Sequence, residues 1–378
     1  MFFISFGIYM TIQLLSMTFY YRFFSGKPYI ILLLFCIALL VVREVLVDEM
    51  PVKMLPIVLL CALLAILIMK DAPRKYNVFF VPYIFAARNI SFKDAARFSA
   101  VLSAFILIFV SGSSLLGIIE NHQDLFTGRL RNYLGFRYPL FPATVLFNII
   151  ALTVFEKGNK MRWRTLIVLG VVNYVLYYLT DSRLCYYTAW VVIGFGALLK
   201  LKPGFFEKLT GFNWIMVFSF PICFFVSVGL SYLYTPFGRF KVWNETLGDR
   251  LALGHASIVK YGFSLLGRRI HWVGNGLNEY GQHSVAEYSY VDCMFLQVLQ
   301  RYGIVFSAVM LILITVLMYK LYRHKCWILL VIFSVIAFHA MIDDLLFELH
   351  YCTFWLLLSI FFKHEQCPDS GNIAIYTL

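Results

Sequence analysis

Apolar runs long enough to cross a bilayer recur along this chain, separated mostly by short polar loops. A hydrocarbon core offers no water to backbone N–H and C=O groups, so such runs must become helices that satisfy those groups internally. Hydropathy marks about eleven runs near the ~18-residue spanning length. They are 2–20, 28–47, 52–70, 98–118, 140–155, 165–180, 184–199, 212–233, 303–320, 327–342 and 351–362. The stretch 77–87, NVFFVPYIFAA, reads as an interfacial or re-entrant piece. Hydrophobic residues make up 61% of the chain and charged residues 14%; soluble domains hold about half and about a quarter. The expected fold is all-α: a polytopic integral membrane protein of about 11 (10–13) transmembrane helices, one domain over 1–378. The opening MFFISFGIYM has no basic segment or small-residue cleavage site, so it reads as a first span. Eight cysteines show no CxxC spacing and sit mostly inside apolar runs, which predicts buried thiols.

Loop charges predict an orientation. Arg22, Lys27, Lys70, Arg74, Lys75, Arg88, Lys93, Arg97, Lys157, Lys160, Arg162, Arg164, Lys200, Lys202, Lys208, Lys320, Arg323, Lys325 and Lys363 fall in one set of loops, with only six acidic residues. By the positive-inside rule that set faces the cytoplasm. The N-terminus then faces out, and the tail 364–378 faces in. The net charge of +12 is spread over these short loops, which excludes a nucleic-acid footprint. The outer face receives 119–139, the tip Asp181–Arg183, the segment 234–290 and the acidic turn 343–350.

Segment 234–290 is too long for a plain connection, and such loops usually carry function. It keeps Arg239, Lys241, Arg250, Lys260, Arg268 and Arg269 on the face where basic residues are normally scarce, which points to an anionic ligand. Leu247, Leu251, Ile258 and Leu265 form one helical stripe, and Arg250, Ser257 and Ser264 another. The pattern predicts a helix lying at the interface, with Thr246 or Asn244 capping its start and four glycines weakening it. Guanidinium groups hold phosphate in a planar, bidentate way at any relevant pH. Arg183, in a short tip between two spans, is a phosphate-binding candidate; its bland reading is a snorkelling residue or a partner of Asp181. Arg268 and Arg269 serve equally as headgroup contacts. Asp292, His255, His271, Asp343, Asp344 and Glu348 are acid–base candidates, and Asp292 reads equally as a helix cap. His339, inside a span, reads as a packed core histidine. Trp243, Trp272, Tyr280 and Tyr288 suit sugar stacking or interfacial anchoring. No metal-ligand spacing and no phosphate-binding glycine loop appears, so neither metal nor cofactor is expected.

The order NYLGFRYP (132–139), TDSRL (180–184), NETLGDRLALG (244–254), VGNGLNEYG (273–281) and VDCMFLQVLQRYGIV (291–305) resembles the Wzy-type polysaccharide polymerases. More distantly, it is similar to the O-antigen ligases of the same superfamily. The resemblance implies an inverting, metal-independent glycosyltransferase on the extracytoplasmic face. A growing glycan would leave undecaprenyl pyrophosphate and join a sugar hydroxyl of a new lipid-linked repeat unit. Implied partners are those lipid-linked glycans, membrane lipids, a chain-length regulator and a flippase. Arg183 matches the family's Ser-Arg motif, Arg250 the Arg of its Gly-Arg-Leu-type motif, and Gly274/Gly276 the Gly-x-Gly that follows. With these, Arg131, Arg137, Arg268 and Arg269 are expected to bind the pyrophosphate. Arg183, Arg250, Asp292 and His255 are the expected catalytic residues. Asp292-Cys293 stands where the ligases carry His-Asn, and Tyr138-Pro139-Leu140 where His-Pro-Asn is common in the polymerases. Both departures leave the base open. A ligase, a lipid-linked oligosaccharide flippase and a membrane acyltransferase built on His339 are the competing readings. Charges clustered in one loop region, rather than at the bilayer midplane, favour surface chemistry over transport.

Overall fold

A computed structural model describes residues 1–24, 26–46, 80–126, 129–202, 204–278 and 280–362. The expected span 52–70 and the tail 364–378 lie outside the described residues. The helices are α1 (Phe2–Ser16), α2 (Lys27–Leu46), α3 (Phe80–Ala86), α4 (Phe92–Leu115), α5 (Leu140–Lys157), α6 (Trp163–Thr180) and α7 (Arg183–Leu201). They continue with α8 (Thr210–Val217), α9 (Ser219–Tyr232), α10 (Gly238–Thr246), α11 (Arg250–Tyr261), α12 (Met294–Arg323) and α13 (Trp327–His339). A 3₁₀ stretch, Thr353–Phe362, closes the described chain. One antiparallel hairpin, β1 (Gln123–Phe126) with β2 (Arg129–Asn132), interrupts the helical pattern, with Asp124 opposite Arg131.

The chain is a helical membrane protein, and its described residues form fewer spans than hydropathy predicts. Among the described residues, α2, α4, α5, α6, α7 and α12 are long and apolar enough to cross a bilayer. The α8–α9 pair, bent by 65°, adds a seventh if it counts as one span. Helix α1 has 15 residues and α13 has 13, and the closing stretch is a ten-residue 3₁₀ turn. The apolar runs 2–20 and 327–342 continue past the ends of α1 and α13 into the turns that follow.

Helix α5 lies at the centre: 61% of its apolar window is buried, against 22% for α2 and for α6. The outer helices expose Ile31, Leu34, Phe35, Ile167, Val168 and Val171, as lipid-facing surfaces do. One group of polar side chains inside the bundle is paired within itself. Asn148 on α5 donates to Thr353 Oγ1 at 3.0 Å, its own Oδ1 accepts the Thr353 N–H at 3.2 Å, and Ser99 on α4 shares that hydroxyl at 2.7 Å.

Contacts overturn one part of the expected orientation. Thr18 bridges Phe136, the Arg137 N–H donates to Met17 O at 3.0 Å, and the Phe19 N–H donates to Gly135 O at 3.0 Å. The turn after α1, which carries Arg22, therefore lies at the same end as 133–137, not the opposite one. The first residues of α1 lie at the other end, where Arg43 sits over the Phe2 ring at 5.5 Å and donates to Ala86 O at 2.8 Å. Arg88 pairs with Glu44 there, and Phe92 packs on Phe155 at 5.1 Å. Helix α3 runs from Phe347 (Phe80 ring, 5.4 Å) to Phe362 (Phe85 ring, 5.4 Å).

Helix α12 is cut at Gly303, whose φ of 89° and ψ of 174° are not helical. Main-chain groups of 264–268 take over the lost hydrogen bonds. The N–H groups of Ile304 and Val305 donate to the carbonyls of Ser264 and Leu265 at 3.0 and 3.1 Å, and the Arg268 N–H donates to Gln300 O at 3.3 Å. Residues 294–303 are buried throughout, which places the segment before the cut inside the protein.

Candidate active site

The site begins at the left-handed turn between α10 and α11, where Gly248 and Asp249 both have φ of 62°. Asn244 fixes this turn: its Oδ1 accepts the Ala252 N–H at 2.9 Å and its Nδ2 donates to Asp249 Oδ1 at 2.8 Å. Of the two expected caps, Asn244 therefore does the capping, serving an N–H in the first turn of α11 from across the bend. The expected interfacial helix is broken here into two, in line with the glycines that weaken it. Arg250, the first residue of α11, is aimed by two carbonyls: Nε donates to Ile342 O at 3.1 Å and Nη1 to Leu247 O at 2.8 Å. Its Nη2 then faces Asp292 Oδ2 at 3.5 Å. The two residues stand 42 positions apart in sequence and meet across the α11–α12 packing.

Asp292 does not cap α12, which starts after Cys293 with no side-chain cap. Its Oδ2 instead accepts the Tyr288 hydroxyl at 3.0 Å, and 24% of its side chain stays exposed. Burial is the main influence on this carboxyl and pushes it up to about 7; Arg250 opposes the rise, and the negative charges of Asp344 and Asp343 add to it. A group poised near neutrality beside a fixed cation suits proton transfer. Burial also raises the Tyr138 hydroxyl, followed by the charge of Asp292, with Arg131 and Arg250 opposing. Arg131 lies 5.9 Å from the Tyr138 ring and donates from Nε to Thr180 O at 3.1 Å. The cluster thus draws Arg131 and Tyr138 from the first loop, and Arg250, Tyr288 and Asp292 from the later one.

The acidic turn closes one side. Tyr290 donates to Asp344 Oδ2 at 2.6 Å. Asp343, almost fully buried, meets His339 Nε2 at 3.0 Å and accepts the Leu345 N–H, while His339 Nδ1 reaches the Thr188 hydroxyl at 3.1 Å. His339 is a packed core residue with polar partners on both nitrogens.

Other expected site residues go elsewhere. Arg183 is exposed and pairs with Asp181 at 3.3 Å within its own tip, sharing no partner with Arg250. His255 faces α9, with Nδ1 at 3.1 Å from Ser231 O, and makes no contact with Asp292. Arg137 donates to Ser16 O at 2.8 Å, contacts Leu277 O and lies over the Tyr21 ring at 4.3 Å, which ties three segments together. Arg268 donates to the Tyr261 and Phe263 carbonyls and so satisfies the end of α11. Arg269 is exposed. A Cβ on Gly274 would sit 3.3 Å from the Tyr290 ring, so that glycine admits the tyrosine that holds Asp344; Gly276 lies in open space. Trp272 donates to Ser257 Oγ at 3.0 Å and carries the Arg301 guanidinium on its face at 4.3 Å.

Sequence reading passed over Tyr290 and the Ile342 carbonyl, and met Tyr138 only as a departure from the polymerases' His-Pro-Asn. Among the described residues the fold also assembles two groups of metal-ligand type that no local spacing reveals, His122/Asp124/His283 and the buried Cys185/His339/Asp343. Compared with family models, curated proteins and solved structures, the chain matches none.

Proposed function

We propose that the Arg250–Asp292 cluster transfers a glycan from a lipid-linked pyrophosphate to a sugar hydroxyl, and so polymerises lipid-linked repeat units. The observation that carries this reading is a near-neutral carboxyl 3.5 Å from an arginine that two carbonyls hold in place. In the transfer, the acceptor oxygen forms a bond to the anomeric carbon as the bond from that carbon to the pyrophosphate oxygen breaks. The pyrophosphate leaves with the electron pair, and the acceptor's proton passes to Asp292. Arg250, with Arg131 nearby, offsets the charge that develops on the leaving group. An arriving pyrophosphate also competes with Asp292 for Arg250; once that cation is drawn away, Asp292 becomes the stronger base. These side chains supply the cationic charge without a metal ion.

The reading places the cluster on the extracytoplasmic face. The α5–α6, α7–α8 and α12–α13 loops at the far end carry Lys157, Lys160, Arg162, Arg164, Lys200, Lys202, Lys208, Lys320, Arg323 and Lys325, the side that the positive-inside rule assigns to the cytoplasm. The direct test supplies purified protein with lipid-linked repeat units and follows glycan length. A deletion strain gives the cellular counterpart. Single repeat units on lipid support a polymerase, long chains not joined to their final acceptor indicate a ligase, and repeat units held inside indicate a flippase.

Two results are expected of the active protein. Arg250→Lys keeps the charge but loses the fork that reaches Ile342, Leu247 and Asp292 together, so its rate should fall about tenfold or more at equal protein level. The pH profile of kcat/KM should rise through a midpoint near 7 and level off above it, because the base must be deprotonated. The stability linkage has the opposite sense. A carboxyl raised on folding from 3.8 to about 7 contributes most at low pH, and that contribution is lost as pH rises through about 7.

A further inference from the structure

The β1–β2 hairpin and the 275–283 loop meet at a group of side chains that the glycan-transfer reading does not use. His283 Nδ1 lies 3.0 Å from the Asn275 carbonyl, which only accepts, so Nδ1 carries the hydrogen. His283 Nε2 then faces Asp124 Oδ2 at 3.1 Å, nitrogen toward carboxylate oxygen. Two lone pairs do not rest at that distance. Either a proton or a metal ion must lie between them. His122 repeats the arrangement: its Nδ1 faces Glu120 Oε1 at 3.2 Å and so donates, which leaves Nε2 as a lone pair. Asp124 Oδ2 is steadied by the Tyr133 hydroxyl at 2.8 Å. One potential ligand atom from each of His122, Asp124 and His283 lies within 4.8 Å of the other two.

We infer that His122, Asp124 and His283 bind a divalent transition-metal ion of the zinc class. Two imidazoles and one carboxylate suit Zn²⁺ or Co²⁺ rather than Ca²⁺ or Mg²⁺, which take oxygen ligands. The surrounding groups are those such sites need. Glu120 behind His122 and the Asn275 carbonyl behind His283 hold each ring by its far nitrogen and fix the tautomer that presents a lone pair. Gly281 lets Glu120 into place, since a Cβ there would stand 2.7 Å from its carboxylate. Water completes the coordination shell, because the site is partly exposed. Binding replaces the proton otherwise shared between His283 and Asp124. The ion's role is that of a clasp. It joins the hairpin that supplies Arg131 to the loop that leads to Tyr288 and Asp292, and this holds whatever reaction the cluster performs.

The test uses the full-length protein in detergent, stripped with a chelator and titrated with Co²⁺ and Zn²⁺. Wild type should bind one ion per chain, develop the visible absorption of nitrogen-ligated Co²⁺, and gain thermal stability with Zn²⁺. His283→Ala and Asp124→Asn should each weaken binding ~100-fold and lose the Zn²⁺-dependent stabilisation. Glu120→Gln, outside the ligand set, should weaken it about tenfold. Chelator-treated variants that unfold at the temperature of chelator-treated wild type show that the loss is one of ligation and not of folding. Wild type that binds neither ion, or His283→Ala that binds as tightly as wild type, would overturn the inference and leave an imidazolium–carboxylate pair.

Discussion

Asp292→Asn is expected to lower the rate of glycan transfer by roughly 10²-fold or more while the protein accumulates normally in the membrane. Asparagine keeps the size of the side chain and can still accept from Tyr288, so local packing is retained. What it loses is the capacity to take a proton. Capping would make the same change nearly silent, because Asn caps as well as Asp, and α12 starts without a side-chain cap in any case. The variant should also lose the pH midpoint near 7, since the titrating group is gone. Measurement is single-turnover transfer from a lipid-linked donor across pH. Wild-type rates from Asp292→Asn would remove it as the base and direct attention to the Asp343–Asp344 turn.

The second large effect is on folding. Gly267→Ala is expected to destabilise the protein by about 3 kcal/mol or more, enough to prevent accumulation in many membrane proteins. Gly267 has φ of 84°, and a Cβ there would lie 2.0 Å from the Arg301 carbonyl oxygen. That neighbour is backbone, itself held beside the Gly303 break, so it has nowhere to move. Gly276→Ala is the control: nothing lies within 4 Å of its Cβ position, and the change should stay within about 0.5 kcal/mol. Thermal unfolding of the two variants in detergent, with yield from equal cell mass, separates them. A Gly267→Ala protein as stable as wild type would mean that segment 264–268 does not cross α12 as described.

Much of the architecture was legible because lipid leaves the backbone few choices. Long apolar runs gave α2, α5, α6 and α7 with only small errors of boundary, and missed the starts of α4 and α12. Short elements escaped. The 77–87 run has the composition of an interfacial piece, and composition does not reveal that Phe80 packs on Phe347 and Phe85 on Phe362. Charge alone singled out the arginines of the outer loops but not what each one faces. Arg250 meets Asp292, whereas Arg137 and Arg268 spend their donors on carbonyls and Arg183 turns to the aspartate beside it. The Arg183–Asp181 pair was legible, because the two residues share one short tip; the other outcomes depend on which carbonyl or carboxylate lies within reach, and no local pattern encodes that. The histidine–aspartate group was hidden for the same reason: His122 and His283 are brought together from loops 161 residues apart.

The crossing at Gly303 bears on how such a chain can diversify. The bonds from Ile304, Val305 and Arg268 to 264–265 and Gln300 are all main chain to main chain. Apart from the two glycines, the joint makes few demands on side-chain identity. Leu265 and Leu266, which form part of it, point their side chains outward and are exposed. Mutation can therefore rewrite the surface of this segment without untying it from the helix behind. A membrane protein whose ligand changes over time would gain from that separation, with a fixed backbone knot beneath and replaceable side chains above.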